Sequence, residues 1–482
     1  MVTALYDCRS KQEYIYRTNQ MREISGASIL LSNIYDMFVA EANKNGIKIK
    51  NNWKEDFRSG KFNTDIFKNS DLDGEVIYSG GGNLNVIYKN KDTFVKANRI
   101  FSKMLLDKTY SINIIAVCTE TTDNFNKDRK ELYRLNRLEK NQGTFSAPCN
   151  VLPITKIDRN TFMPICKKEY DNNKFSEFTL ESLHKSDAFK NESSEKDTRS
   201  LNYLTDKNGD NKILAAIYID GNDMGNKIKA CTEGKDDYTE CVNALREFSL
   251  NTDKYFVDEP LKAIKELLDK KDSKFRKIIG GGDEITIVCR AEDAIDIVSK
   301  YFEVLEKTTS LAADIKNASC AGIAFFHSHM PFADVYHIAE SCCESGKEKT
   351  RISDSTKSYI DFHYCSSSIT NDLDTIRSEQ DGKFTLRPYS TEDFKEFVKV
   401  GNILKGIGRG NVKALSEAIV KGNSYFQFET ERIKSRGNSD FIDLIKEHGS
   451  CEDKLKRLIY DVSVVYDLWF AKEENVNVQT EN

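Results

Sequence analysis

The sequence predicts an α+β fold in which one β-α-β-β-α-β unit occurs twice and a helical region follows. The first observation is a pair of hairpins, at residues 75–88 and 277–289, each turning on three consecutive glycines. The second is that an apolar strand precedes each hairpin, while a helical stretch and another strand follow it. This order is the split ferredoxin-like arrangement, and its repetition indicates two packed copies of one domain.

The first copy is expected over residues 1–124. Residues 2–7 form an apolar run that ends in Asp7, and a helical stretch begins at residue 11. After the hairpin, residues 92–106 have helical spacing, and residues 111–118 are β-rich.

Residues 125–210 are expected to be a helical and polar linker region. They open with a charged helix at 126–142 and end in a polar stretch at 191–212. Because that stretch has almost no apolar residues, we expect a mobile connection there.

The second copy is expected over residues 211–388. Its first strand, residues 213–220, ends in Asp220, and its hairpin precedes a helix at 291–308. Residues 389–482 form the predicted helical C-terminal domain, in which Ser390 caps the first helix together with Asp393.

Composition limits the class of protein. The chain has 482 residues, a formal net charge of −5 and no apolar run of about 18 residues, so we expect a cytoplasmic protein with no membrane contact. It has no long Lys/Arg block, which argues against a broad grip on duplex nucleic acid and favours small anionic ligands held by a metal ion. Twelve scattered cysteines without a Cys-x-x-Cys pair indicate reduced thiols.

Three acids of the second copy are candidate catalytic and metal-binding residues: Asp220, Asp283 and Glu284. Asp220 ends a central strand, and the other two occupy the hairpin turn that should lie beside it. Nucleotidyl transfer commonly uses two divalent ions about 4 Å apart between carboxylates and phosphates. Gly and Asp also favour plain hairpin turns, but the whole constellation predicts a site for Mg²⁺ or Mn²⁺.

The glycines and the strand-to-helix turn are the candidate nucleotide contacts. A turn without Cβ atoms lets a phosphate or base approach closely, and a helix N-terminus can receive phosphate. Lys347 is a candidate charge for a triphosphate, although most helix lysines are merely solvated. The candidate nucleotide-binding residues are Gly81, Gly82, Asn222, Asp223, Gly225, Gly281, Gly282 and Lys347.

The first copy lacks acids on its turn. Ser79-Gly-Gly-Gly-Asn83 keeps the glycines, and only Asp7 offers a carboxylate nearby. We therefore expect a non-catalytic domain.

Together these motifs resemble the large polymerase-cyclase subunit of type III CRISPR effector complexes, which has two palm domains and belongs to the GGDEF-like superfamily. The resemblance runs from residue 1 to about 365. It is carried by residues 21–28, the acid-free turn, the Asp220–Gly225 segment, the Gly281–Glu284 turn and residues 319–351.

The resemblance implies two palm (GGDEF/cyclase-like) domains that enclose nucleotides, with metals on Asp220 and Asp283 and with Glu284 assisting. It implies conversion of ATP or another NTP to a cyclic oligoadenylate second messenger in antiviral signalling. RNA or CRISPR-type subunits are the expected activators. We expect a short form without the family's His-Asp nuclease domain. Glu284 stands where the family usually has Asp and diguanylate cyclases have Glu, so the turn leaves the base specificity open. Asn222 stands where members often have a further Asp, which weakens one expected metal contact.

Two alternatives remain open from the sequence. The first is a catalytically silent scaffold that binds nucleotide or RNA, which the Asn222 departure favours and the three retained acids oppose. The second is a cyclic dinucleotide or mononucleotide synthase, which differs only in how many nucleotides the pocket closes. The sequence does not predict the oligomeric state.

Overall fold

The computed structural model describes most of the chain. The described residues are 1–58, 65–68, 71–142, 152, 154–159, 161–171, 174–192, 201–204, 213–311, 316–365, 373–448 and 453–470.

The strands are β1 Val2–Arg9, β2 Ile49–Lys50, β3 Gly74–Gly80, β4 Asn83–Tyr88, β5 Asn113–Glu120, β6 Ile165–Asp171, β7 Lys174–Thr179, β8 Ile213–Gly221, β9 Phe275–Gly281, β10 Glu284–Arg290, β11 Ser319–His327, β12 Tyr359–Tyr364 and β13 Tyr389–Ser390.

The helices are α1 Lys11–Tyr16, α2 Met21–Lys44, α3 Trp53–Arg58, α4 Lys91–Thr109, α5 Phe125–Gln142, α6 Leu180–Glu192, α7 Met224–Thr232, α8 Tyr238–Thr252, α9 Glu259–Asp269, α10 Ala294–Leu305, α11 Phe332–Ile352, α12 Leu373–Gln380, α13 Thr391–Ile407, α14 Arg409–Lys421, α15 Asn423–Lys434, α16 Ser439–His448 and α17 Asp453–Trp469. A π-helical segment, Asp253–Asp258, links α8 to α9.

Two sheets carry the repeated unit. The first has the order β2-β3-β4-β1-β5, and the second has the order β13-β12-β11-β8-β10-β9. In each, the first strand of the unit lies between the third and the fourth, as in ferredoxin-like folds. The predicted fold class is therefore confirmed, with β12 and β13 as an extension of the second sheet.

The two units share a hydrophobic core. Tyr16 of α1 stacks on Tyr336 of α11 with ring centroids 4.0 Å apart. Arg246 of α8 is buried, and its guanidinium donates hydrogen bonds to the carbonyl oxygens of Val76 and Ile77 at 2.9 and 2.8 Å. A buried guanidinium bonded to strand backbone is costly to expose, so these contacts fix the second unit against β3.

The C-terminal helices α13 to α17 pack with α9 and α10 on the second sheet in another core cluster. The predicted cap is present, because Ser390 Oγ accepts a hydrogen bond from the backbone N–H of Asp393 at 3.2 Å. Among the described helices, none combines the length and apolar character needed to cross a bilayer.

The region between the copies contains more structure than the sequence predicted. Leu132 of α5 packs against the first sheet, β6 and β7 form a hairpin, and α6 packs on α2. The hairpin was missed because many of its residues are charged and its strands show little apolar alternation. Most of the predicted mobile stretch lies outside the described residues. The domain boundaries remain predictions.

Candidate active site

Asp220 and Glu284 lie side by side on the second sheet. Asp220 is next to last in β8, Glu284 opens β10, and the two are direct partners in the antiparallel register. Directly opposed residues of antiparallel strands project to the same face of a sheet. The register therefore brings these two predicted acids together.

Asp283 approaches the same strand end from the hairpin turn. Its carbonyl oxygen accepts a hydrogen bond from the backbone N–H of Gly221 at 3.2 Å. A Cβ atom on Gly221 would lie 2.8 Å from both Cβ and Oδ2 of Asp283, closer than real Cβ contacts come. The glycine after Asp220 is thus needed so that the Asp283 carboxyl group can pack against the backbone of β8.

The electrostatics of this cluster oppose ionisation of Asp283. Burial, and then the charge of Asp220, raise the pKa of the Asp283 carboxyl group from 3.8 to about 7. Two carboxylates this close repel each other unless a cation lies nearby. Such a shift in a cleft is typical of a functional site.

Two lysines supply countercharges. Lys347 of α11 forms an ion pair with Asp220, and Lys11, from the first domain, forms one with Glu284. Burial is the largest single influence on the pKa of each lysine and lowers it, but the charge of the carboxylate partner, the hydrogen bond to it and the other nearby acids together raise the pKa. The Lys11–Glu284 pair joins the two domains, and the other Glu284 oxygen, Oε1, is buried without a hydrogen-bond partner in the described structure.

The two glycine turns face each other. A Cβ atom on Gly282 would lie 3.6 Å from Cα and N of Gly81. A Cβ atom on Gly281 would meet no other atom within 4 Å. A Cβ atom on Gly82 would meet only side-chain carbons of Cys8 and Lys11, at 3.9 Å. The predicted glycines therefore line one junction between the domains, where a ligand can approach the backbone.

The predicted nucleotide-binding residues in the turn between β8 and α7 make different contacts. Asn222 is buried, and its Nδ2 donates a hydrogen bond to the carbonyl oxygen of Lys357 at 2.9 Å, so its amide links β8 to the loop before β12. Asp223 has a left-handed backbone with φ of 57° and accepts a hydrogen bond from Asn226 Nδ2 at 2.6 Å. Gly225 is exposed in the first turn of α7.

Among the described residues of the first domain, no comparable cluster of acids is present. Asp7 is the register partner of Asn83, as Asp220 is of Glu284. Its Oδ2 atom binds Asn136 Nδ2 at 2.6 Å and Lys140 Nζ at 2.5 Å, both from α5. Asp7 is therefore held by two side chains of α5.

Sequence reasoning missed three polar residues at the site. Lys11 is one. Asp253 accepts a hydrogen bond from the backbone N–H of Gly282 at 2.7 Å and so holds the turn. Lys227 of α7 is buried, with no hydrogen-bond partner for its Nζ in the described structure, and burial lowers its pKa to about 8 despite Asp223 and Asp283. For Lys227, the available sequence signal was its position two residues after Gly225, next to the candidate phosphate-binding turn.

The acids fit a divalent cation that also binds substrate. Among the described residues, no set of three or more Asp, Glu, His or Cys side chains forms a ready-made metal cage. Mg²⁺ commonly binds through one or two carboxylates and takes its remaining ligands from water and substrate phosphates. Asp220 and Asp283 are suited to that role, because a cation beside them would favour the ionised form of Asp283, which burial and the charge of Asp220 disfavour.

Comparison with known proteins agrees with this architecture. Residues 213–355 match the family model of the second palm domain of Cas10/Cmr2. No curated protein matches the sequence.

Three solved structures share the fold of nearly the whole chain. They are crystal structures of a Csm1–Csm4 cassette with pppApA, with cA3 and in the apo form, with TM-scores of 0.56, 0.54 and 0.52. Each is 12% identical, and the matches cover 97%, 98% and 97% of this chain and 69% of each of the other chains. At this identity the likeness establishes the fold, and the family model confirms the resemblance for the second palm.

Proposed function

We propose that this chain, which carries a Cas10-like second palm domain, is a Mg²⁺-dependent nucleotidyltransferase that converts ATP to a cyclic oligoadenylate. The observation that carries the proposal is the convergence of Asp220 and Asp283 at one strand end, opposite a second glycine turn. That junction provides carboxylates for a cation and open backbone for nucleotides.

The proposed reaction joins two nucleotides at a time. The 3′-hydroxyl oxygen of one attacks the α-phosphorus of another, a new O–P bond forms, and the bond to the bridging oxygen of the β-phosphate breaks. The leaving pyrophosphate takes the bonding electron pair, and the hydroxyl group gives its proton to a nearby carboxylate or to water. Ring closure repeats this step within one linear chain. Bound Mg²⁺ would stabilise the charge on the phosphate oxygens.

Each residue of the cluster has a distinct proposed role. Asp220 and Asp283 hold the cation. Lys347 would leave Asp220 and bind the triphosphate once a metal cation binds the Asp220 carboxylate. The reason is that the lysine ammonium group and the metal cation compete for the same carboxylate oxygens. Glu284 supports the acids while its pair with Lys11 keeps the palms in register. Gly81, Gly82, Gly281 and Gly282 allow nucleotide to contact the backbone, and Asp223 and Gly225 form the phosphate-facing turn.

The matched Csm1–Csm4 structures also suggest which partners this chain binds. Csm1 is paired with Csm4 in the matched structures, and these contain pppApA and cA3 as ligands. We propose that a CRISPR-type subunit and a target RNA activate this chain, and that its product serves antiviral signalling.

Incubation of the purified protein with each NTP and Mg²⁺ or Mn²⁺, followed by mass spectrometry, tests the proposal. Asp283→Ala removes the turn acid, and Asp443→Asn on α16 is the control for loss of a carboxylate away from the cleft. We expect a cyclic adenylate product that Asp283→Ala abolishes and Asp443→Asn retains. A dinucleotide or mononucleotide ring would replace the oligoadenylate proposal by the smaller synthase, and the mass distinguishes these directly.

A nucleotide-binding scaffold is the second candidate. It is favoured by Asn222, whose amide is committed to the Lys357 carbonyl group, and by the two lysines that already neutralise Asp220 and Glu284. Binding of ATP without any product, with and without candidate RNA activators, would support the scaffold and contradict the enzyme.

A further inference from the structure

A groove of about 1210 Å³ lies between α5 and α7, beside the candidate active site. One wall contains Asp223, Gly225 and Asn226, which directly follow the Asp220 strand. The other wall is the exposed side of α5. An occupant of this groove would therefore extend away from the turn that the proposed reaction uses.

Helix α5 has two chemically distinct faces. Phe125, Asp128, Leu132 and Asn136 are buried. Lys127, Lys130, Arg134 and Arg137 are exposed and line the groove, and we call them the basic stripe. Spacings of three, four and three residues place all four on one side of the helix.

The basic stripe is not explained by packing or by ion pairing. Arg134 is paired with Glu131, but Lys127, Lys130 and Arg137 have no acidic partner within 4 Å in the part of the chain that the structure describes. The α5 sequence has six basic and three acidic residues in a chain whose net charge is −5. This local excess of positive charge is the feature expected where an anionic ligand binds.

The dimensions favour a chain of phosphates over a single nucleotide. Residues 127 to 137 span about 15 Å at 1.5 Å per residue. A stacked strand carries one phosphate for about every 3.4 Å along its axis, so the stripe is long enough to lie beside several successive phosphates. Tyr133 also lines the groove, with the Arg129 guanidinium 5.1 Å from its ring centroid. A basic groove with an aromatic ring is a common arrangement for single-stranded nucleic acid.

We propose that the groove holds the linear oligoadenylate before ring closure, with its phosphates along the basic stripe. This inference rests on the proposed function. The groove shares the Asp223–Asn226 turn with the active site, so a growing chain reaches it without leaving the protein. Retention of the chain would then set how many nucleotides are joined before the ring closes.

Binding of a fluorescently labelled linear tetra-adenylate with a 5′-triphosphate, measured by anisotropy, tests the proposal. All proteins carry Asp283→Asn, which prevents turnover. Lys127→Glu/Lys130→Glu reverses two charges of the stripe. The matched control is Lys96→Glu/Lys103→Glu, which reverses two exposed lysines on α4 of the same domain. We expect the stripe variant to bind the oligonucleotide at least about tenfold more weakly at 0.1 M salt, and the control within about twofold of the parent.

Two further probes separate the alternatives. ATP binding should stay within about twofold in the stripe variant, because the mononucleotide lies at the carboxylates. The proposal is overturned if the stripe and control variants bind the oligonucleotide equally well. It is also overturned if the stripe variant loses ATP binding as much as it loses oligonucleotide binding. A loss confined to long RNA of unrelated sequence also overturns it, since the groove would then serve an activator.

Turnover gives an independent readout with Asp283 restored. The stripe variant should release shorter products than the control variant, and an unchanged length distribution contradicts the proposal. In one outcome, the unmodified protein forms no product from any NTP, but the stripe variant still binds the oligonucleotide more weakly while its ATP binding is unchanged. The groove assignment then stands and the proposed catalysis fails.

Discussion

The two palms use the same backbone plan but differ at the three positions that matter. Where the second has Asp220, Asp283 and Glu284, the strand registers place Asp7, Gly82 and Asn83 in the first. Asp220 faces another carboxyl group across a short distance, whereas Asp7 is bound by Asn136 and Lys140. The second palm groups three acids, of which Asp220 and Glu284 are paired with lysines and Asp283 has a raised pKa. The first palm has a single acid at this place, and α5 binds it.

The turns themselves explain part of this difference. In the first hairpin both Gly81 and Gly82 have positive φ, at 59° and 83°, while in the second only Gly282 does, at 66°. A left-handed backbone penalises most side chains. The second turn can therefore place an aspartate where the first turn favours glycine, so the backbone geometry of a turn decides whether it can carry an acid at this position.

The strongest way to break the comparison is to remove the equivalent acid from each palm. Asp220→Ala should lower the rate of ATP conversion at least about 100-fold, because it removes a cation ligand at the reacting phosphate. Asp7→Ala should leave the rate within about threefold, since Asp7 serves only α5. The measurement is the initial rate of pyrophosphate release. Equal losses in both variants would show that the first palm also takes part in the chemistry.

The ion pair between the palms gives the next largest effect. Lys11→Met leaves Glu284 buried without its cation, so the free energy of unfolding should fall by about 1–3 kcal/mol. Lys11→Met/Glu284→Gln should recover part of that loss, because the unpaired charge is gone. Urea denaturation of the two single variants and the double variant measures the coupling. Simple additivity of the two losses would show that the pair contributes nothing to the junction.

Much of this architecture could be predicted from the sequence because its signals are local. Three glycines between β-rich runs mark each hairpin, and the order of elements gave the fold, while Asp220, Asp283 and Glu284 were recognised from their places on strand and turn. Lys11 could not be recognised, because its partner Glu284 is 273 residues away and only packing of the two palms brings them together. The same holds for Asn136 and Lys140, whose helix appeared to be linker.

Asn222 shows the opposite limit. Its place in the Asp220–Gly225 segment suggested a nucleotide contact, yet its amide donates to the carbonyl oxygen of Lys357, 135 residues away. A motif position predicts which strand end a side chain occupies. It does not predict which of several polar groups around that end the side chain will bind.

Replacing the acid of each palm by Asn should sharpen the comparison, with effects of opposite sign on stability at pH 8. The folded-state pKa of Asp283, about 7, lies above its ordinary value of 3.8. The folded protein therefore binds more protons than the unfolded chain between these values, and stability falls as pH rises from about 4 to about 7 and stays low above it. Asp283→Asn should raise the melting temperature of the metal-free protein at pH 8, by about 2 °C or more, and have little effect at pH 4.

The matched substitution in the first palm should destabilise. Asp7→Asn loses the ion pair with Lys140, and we expect a loss of about 1 kcal/mol at pH 8. Mg²⁺ at pH 8 should raise the melting temperature of the unmodified protein and of Asp7→Asn, but not that of Asp283→Asn. Both are measured by thermal unfolding followed by circular dichroism. A stabilising Asp7→Asn, or a destabilising Asp283→Asn, would remove the electrostatic contrast between the palms.

The smallest effect concerns the turn glycines and tests why the first palm has no acid there. Gly82→Ala places a Cβ on a residue with φ of 83°, which should cost about 1 kcal/mol in the free energy of unfolding. Gly281→Ala is the matched control, because Gly281 is outside the left-handed region and a Cβ there meets nothing within 4 Å. Urea unfolding with a constant slope in both variants gives the difference. If Gly82→Ala is as stable as Gly281→Ala, backbone strain does not exclude a side chain from the first turn, and the absence of an acid there needs another cause.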